Sequence, residues 1–162
     1  LFPTLADRIS AEIDDLAAQA VMSVPRERLT GWRLLPGDGL KIHPDGSATL
    51  PLPSDFLMLF NLRMSDWERE VCEILPHDHW LSRLQKSRWH GLRGTPSRPL
   101  AFGYPAEGGG KALRLYSTAP GATIAEGWYL PAPKTDAAGE IEIPPAAYRR
   151  LIESLRDKLE CT

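Results

Sequence analysis

His77-Asp78-His79 has the most direct claim to metal chemistry in this chain. On extended backbone, residues two apart share a face, so the two imidazoles would point together. Such a pair holds Zn²⁺ only when further ligands complete the site. The other histidines, His43 and His90, stand in no ligand spacing. The run is therefore expected to be a solvated turn that binds no metal, with Asp78 capping a short helix. A second candidate, Glu107-Gly108-Gly109-Gly110-Lys111-Ala112, has the outline of a phosphate loop. That pattern needs a glycine where Pro105 stands and a hydroxyl where Ala112 follows the lysine. The glycines are better read as a flexible hairpin tip. A hydrolase would need a nucleophile, a base and an orienting acid, and no Gly-x-Ser-x-Gly elbow occurs. Cys72 lies in an apolar strand candidate, where a buried, inert thiol is the default. No catalytic residue, metal site or cofactor is assigned, and the chain is expected to be non-enzymatic.

The charge pattern is more informative. Between Asp78 and Glu107 there is no carboxylate, while Arg83, Lys86, Arg88, Arg93 and Arg98 fall in that stretch with Trp80 and Trp89 among them. Cations interleaved with aromatic rings suit a polyanion such as DNA. They suit equally a rim that meets acidic surfaces, including the Asp-rich first helix of a neighbouring copy. The net charge of −2 favours the rim. These five cations are the candidate interaction surface. Five tryptophans are many for 162 residues. In loops they serve as interface anchors or as core plugs, and for any single one the plug is the default.

The elements that must position these residues are punctuated by fifteen prolines. In the first proline-free stretch Leu5, Ile9, Ile13, Leu16 and Ala20 recur at helical spacing, predicting a helix over Thr4–Met22. Thr4 and Asp7 are placed as a capping box. At the other end Tyr148, Leu151, Ile152, Leu155 and Leu159 predict a helix over Ala146–Glu160, entered through Pro144 and Pro145. Ile9, Ile13, Leu151 and Leu155 are expected to face inward. Between the helices the reading is mostly β. Leu40–His43 and Ala48–Leu52 flank the turn Pro44-Asp45-Gly46-Ser47. Phe56–Met64 and Glu70–Leu75 form a second candidate pair, and Leu100–Tyr104 and Ala112–Ser117 flank the glycine tip. Thr123–Leu130 and Ile141–Ile143 are further strands, and Asp78–Gln85 is a helical turn. The expected fold class is α+β, with a β-rich middle of antiparallel hairpins between N-terminal and C-terminal amphipathic helices. One domain over residues 1–162 is expected from length.

Composition agrees with a globular domain: 43% of residues are hydrophobic and 25% charged, which excludes disorder and coiled coil. No apolar run approaches the ~20 residues of a membrane helix, so no membrane partner is expected. Two cysteines, Cys72 and Cys161, make no disulfide framework, and a reducing compartment is the better expectation. Since residue 1 is Leu and not Met, a preceding segment is expected to have been trimmed or removed.

Leu52-Pro53-Ser54-Asp55-Phe56-Leu57 resembles a segment of the head-to-tail adaptor (connector) proteins of tailed bacteriophages, including the tail tubular protein A type and prophage relatives in gut bacteria. In that family the segment follows a short strand and opens a long one. Later pieces resemble the family in the same order. They are Ser87–Pro99, the Leu-x-Leu-Tyr run at Leu113–Tyr116, Tyr129-Leu130-Pro131, and Ile141-Glu142-Ile143-Pro144 before the last helix. The resemblance runs from about Leu50 to the end of the chain. It implies a virion structural protein, self-associated into a ring, either by itself or only on the portal, that joins portal protein to tail proteins around the DNA exit channel. Weak non-specific DNA contact is compatible with that role. The implied location is the virion, or the bacterial cytoplasm when expressed from a prophage. The rival reading is a small-molecule or carbohydrate binding module on a β-rich scaffold, with tryptophans as stacking platforms.

Overall fold

The computed structural model describes residues 3–160, and it is α+β: helices at both ends and strands between. The chain divides into two compact units. One takes the chain up to Trp32 and resumes at Leu130; the other is Arg33–Tyr129.

The first unit is built on α1 (Leu5–Met22) and α3 (Pro145–Glu160), which pack on each other. The capping box forms as its residue types require. Asp7 N–H donates to Thr4 Oγ1 at 3.2 Å, and Thr4 N–H donates to Asp7 Oδ2 at 2.9 Å. Ser23 caps the other end, its N–H reaching back to Gln19 O at 3.1 Å, and Pro25 follows. Burial falls on Leu16, Ala17, Ala20 and Val21 of α1 and on Ala147 and Leu151 of α3. Three of these six are alanines, so backbones can approach where they meet. The Asp14 carboxylate ties the connecting segment to α1, accepting from Thr135 N–H at 2.7 Å and from its hydroxyl at 2.6 Å. Lys158 and Glu12 join the helices by an ion pair.

The inward stripe is shorter than its periodicity suggests. Leu151 is buried and Ile13 and Leu155 are half-buried, but Ile9 is 50% exposed. The reason is cover: burial in α1 is concentrated in its C-terminal half, and at the N-terminal half the stripe extends beyond the residues packed on it.

The second unit holds two sheets. Strands β2 (Lys41–Ile42), β3 (Ser47–Pro51), β7 (Lys111–Tyr116), β6 (Leu100–Pro105) and β5 (Leu75–Pro76) form one, in that spatial order. All its pairs are antiparallel except β5 with β6. The other sheet has the order β1 (Arg33–Leu34), β8 (Ile124–Pro131), β4 (Phe56–Met64). Both contribute to one core: Leu50 from β3, Leu59 and Leu62 from β4, and Leu113 and Leu115 from β7 are almost wholly buried. Trp67 closes this core, 3% exposed, its indole N–H donating to Ser117 O at 2.5 Å.

The turns follow from local chemistry. Gly46, at φ +82°, lets β2 reverse into β3. Asp45 accepts from Ser47 N–H at 3.0 Å and from its hydroxyl at 2.6 Å, and these bonds, side chain first, hold its carboxyl below the usual range. Gly108 and Gly109, both at positive φ, form the tip between β6 and β7. Two expected strands are reduced to bridges. In Glu70–Leu75 only Val71 pairs, with Leu62, before β5 begins at Leu75; four charged residues between 68 and 73 hold most of that segment in solvent. Cys72 is accordingly exposed, correcting the expectation of a buried thiol. Ile141–Ile143 contributes one bridge, Ile141 to Thr135.

Candidate interaction surface

The carboxylate-free stretch folds as a short helix α2 (Trp80–Leu84), a 3₁₀ turn (His90–Leu92) and a tight loop leading to β6. The start of α2 is capped by His79: its Nδ1 accepts from Leu81 N–H at 3.3 Å. The cap is thus His79 and not Asp78, because the helix begins one residue later than Asp78 needs. His77 is exposed. Among the described residues no three His, Cys, Asp or Glu side chains gather in a way that could hold a metal ion.

Gln85 organises the rest. It is 3% exposed, and an amide buried that deeply must be satisfied within the protein. Its Nε2 donates to Leu81 O at 3.0 Å and to Leu92 O at 3.1 Å, and its Oε1 accepts from Gly94 N–H at 2.7 Å. One side chain therefore pins α2, the 3₁₀ turn and the loop after it. Gly94 lies against β7 so closely that a Cβ there would sit 2.7 Å from Tyr116 O. Beyond it Thr95 and Arg98 exchange backbone bonds of 3.1 and 3.0 Å, and Arg98 Nη2 donates to Gly91 O at 2.5 Å.

Five residues of this rigid frame project outward. Trp80 is 59% exposed and Trp89 is 77% exposed. Arg83, Lys86 and Arg88 are exposed with them. Arg98 is also exposed but is spent on the loop, and Arg93 is half-buried. Arg93 turns instead toward a cavity of ≈ 250 Å³ that it lines with Asp45, Gln85, Thr95 and Tyr116. Burial raises the Tyr116 phenol above its ordinary pKa, against the lowering pull of Arg114. Of the five cations singled out by sequence, three are exposed within the short run Arg83–Arg88, one braces the loop and one lines the cavity. None forms an ion pair with a described carboxylate.

Sequence reasoning did not find Gln85 as the keystone. An isolated glutamine carries no local signal, and only its three partners reveal the role. Sequence reasoning placed Leu5, Tyr148 and Leu159 on the apolar stripes of the terminal helices, whereas the structure leaves them 61–79% accessible. A cavity of ≈ 690 Å³ lies along that unit, lined among others by Leu5, Ile9, Leu16 and Lys158. No helix among the described residues is long and apolar enough to cross a membrane. Compared with known proteins, the chain matches no family model and no curated protein.

Proposed function

We propose that this protein is a non-enzymatic structural subunit of a bacteriophage or prophage virion: a ring-forming head-to-tail adaptor that joins portal to tail around the DNA exit channel. The observation that carries the reading is where the exposed functional residues lie. Trp80, Arg83, Lys86, Arg88 and Trp89 are held outward on a braced loop. Tryptophan and arginine in that setting are the residue types that anchor protein interfaces. The adaptor-like segment at Leu52–Leu57 adds support, because it connects the five-residue β3 to the nine-residue β4, the short-then-long order of the family it resembles. Portal and tail proteins are the proposed partners, with DNA touched weakly and without sequence preference.

The exposed tryptophans are also the one feature that speaks for a carbohydrate-binding module. A sugar platform needs its rings beside a concave site, and neither cavity described above is lined by tryptophan. The adaptor reading is therefore preferred.

The test is co-expression with the portal protein encoded in the same phage or prophage genome. Ring-shaped density stacked on the portal in electron micrographs is expected. A subunit that neither forms rings nor associates with that portal would remove the reading.

A further inference from the structure

The charge of this chain is segregated. Residues 79–106 contain five cations and no carboxylate, while the whole chain carries −2, so everything outside that segment carries −7. A second copy of the chain therefore offers the cationic segment an anionic body. Attraction of this kind acts within a Debye length of about 8 Å at physiological salt, which favours contact over long-range binding.

The surface has the other properties of an interface. Trp80 and Trp89 are large apolar groups left mostly in solvent, and covering them is favourable for any partner that fits. The Gln85 bonds to Leu81, Leu92 and Gly94 tie down the backbone on either side of them, which lowers the backbone ordering that docking requires. Its basic residues are two arginines, Arg83 and Arg88, and one lysine, Lys86. Arginine is enriched in protein interfaces and lysine depleted. A nucleic-acid strand would find the same cations, but would meet repulsion from the −7 of the remaining chain.

We infer that the surface formed by Trp80, Arg83, Lys86, Arg88 and Trp89 docks on the acidic body of a second copy of this chain, and is the self-association contact of the ring. The inference rests on the adaptor reading and names the partner of its candidate surface. The contact is heterologous, cationic surface of one copy against anionic surface of the next, and such contacts propagate into rings when the rotation closes.

The test uses the full chain. Sedimentation of the wild type at low salt should show concentration-dependent association that high salt reverses. In an equal mixture of ¹⁴N- and ¹⁵N-labelled protein, zero-length carbodiimide coupling should join Lys86 to carboxylates of the other isotope, which marks the link as intermolecular. Arg83→Glu with Arg88→Glu should weaken association by roughly tenfold or more through like-charge repulsion. Circular dichroism of this variant checks that it folds; if it does not, Trp80→Ala with Trp89→Ala serves in its place. Association that persists unchanged in a folded variant would overturn this contact while leaving the ring intact. A wild type that stays monomeric at low salt and the highest soluble concentration would also overturn the contact; rings on the portal would then keep the adaptor reading alive, and their absence would remove it too. Binding of oligo-dT at lower protein concentration than self-association would reassign the surface to single-stranded nucleic acid.

Discussion

Gln85 illustrates how one buried amide can hold a surface in place. Replacing it with alanine removes three hydrogen bonds and leaves the Gly94 N–H buried without its partner. The cost of such an orphaned donor is about 1–3 kcal/mol, so Gln85→Ala should lower the urea midpoint without changing the slope. Trp89 provides the contrast. At 77% exposure its truncation should change stability by only about 0.5 kcal/mol in either direction. Equal losses for the two variants in the same urea titration would contradict this division between frame and surface. At the alkaline end, burial holds the phenols of Tyr116 and Tyr129 above the ordinary value of 10.0. For Tyr129 the Asp55 carboxylate, accepting its hydroxyl at 3.1 Å, adds to the shift. A phenol whose folded pKa is raised contributes stability fully below its unfolded pKa, and that contribution is lost as pH rises through the folded pKa. Unfolding free energy should therefore fall above about pH 10, and Tyr129→Phe should flatten part of that fall. An identical alkaline profile in that variant would remove Tyr129 from the account.

At the scale of elements, the termini of α1 show local chemistry acting as its residue types require. Thr4→Ala deletes the side-chain half of the capping box and should cost about 0.5–2 kcal/mol. Hydrogen exchange of the first-turn amides should rise with it; unchanged protection there would mean that the end of α1 is held by something else. The loop at Gly94 depends on a long-range constraint instead. Because a Cβ would sit 2.7 Å from the Tyr116 carbonyl, Gly94→Ala must push the loop off β7. Its stability loss should exceed that of Gly46→Ala. Gly46 has open space around it and carries only the penalty of a methyl group at positive φ. These two glycines look alike in sequence, and the urea midpoints of the pair distinguish their roles. The strands lost between Glu70 and Leu75 teach a related point. Apolar residues such as Val71 and Ile74 mark the potential for pairing, but before β5 begins at Leu75 a partner edge is engaged only at Val71.

For the molecule as a whole, the two units have different densities of buried structure. Strands β3, β6 and β7 bury Leu50, Phe102, Leu113 and Leu115 in one continuous sheet, while the exposed half of α1 carries Leu5 and Ile9 in solvent. Native-state hydrogen exchange should find the slowest amides in those strands and fast ones at residues 5–12, since protection follows burial. Leu113→Ala should cost about 2–5 kcal/mol, the range for emptying a buried leucine site. Leu5→Ala should cost little, and association with a partner that covers α1 would reverse that order for Leu5. The α+β class, both terminal helices, the hairpins at Gly46 and Gly108 and the long strand β4 were all legible in the sequence. Each rests on short-range periodicity or on a turn residue. The candidate surface was legible as a run of cations, but not as the three that face outward.

The sequence by itself determined where the two terminal helices begin and end, which residues turn the hairpins and where positive charge accumulates. These depend on residues a few positions apart, and backbone sterics and charge act there without help from the fold. Only the tertiary structure decided which part of each apolar stripe is covered. Only it showed that Gln85 and Gly94 brace the loop against β7, that Arg93 lines a cavity and that Arg98 is engaged by the Gly91 carbonyl, while Arg83, Lys86 and Arg88 are exposed. Burial and hydrogen-bond satisfaction are properties of residues brought together from distant positions. A cation's sequence neighbours therefore cannot tell whether its guanidinium will meet solvent, a carbonyl or a cavity.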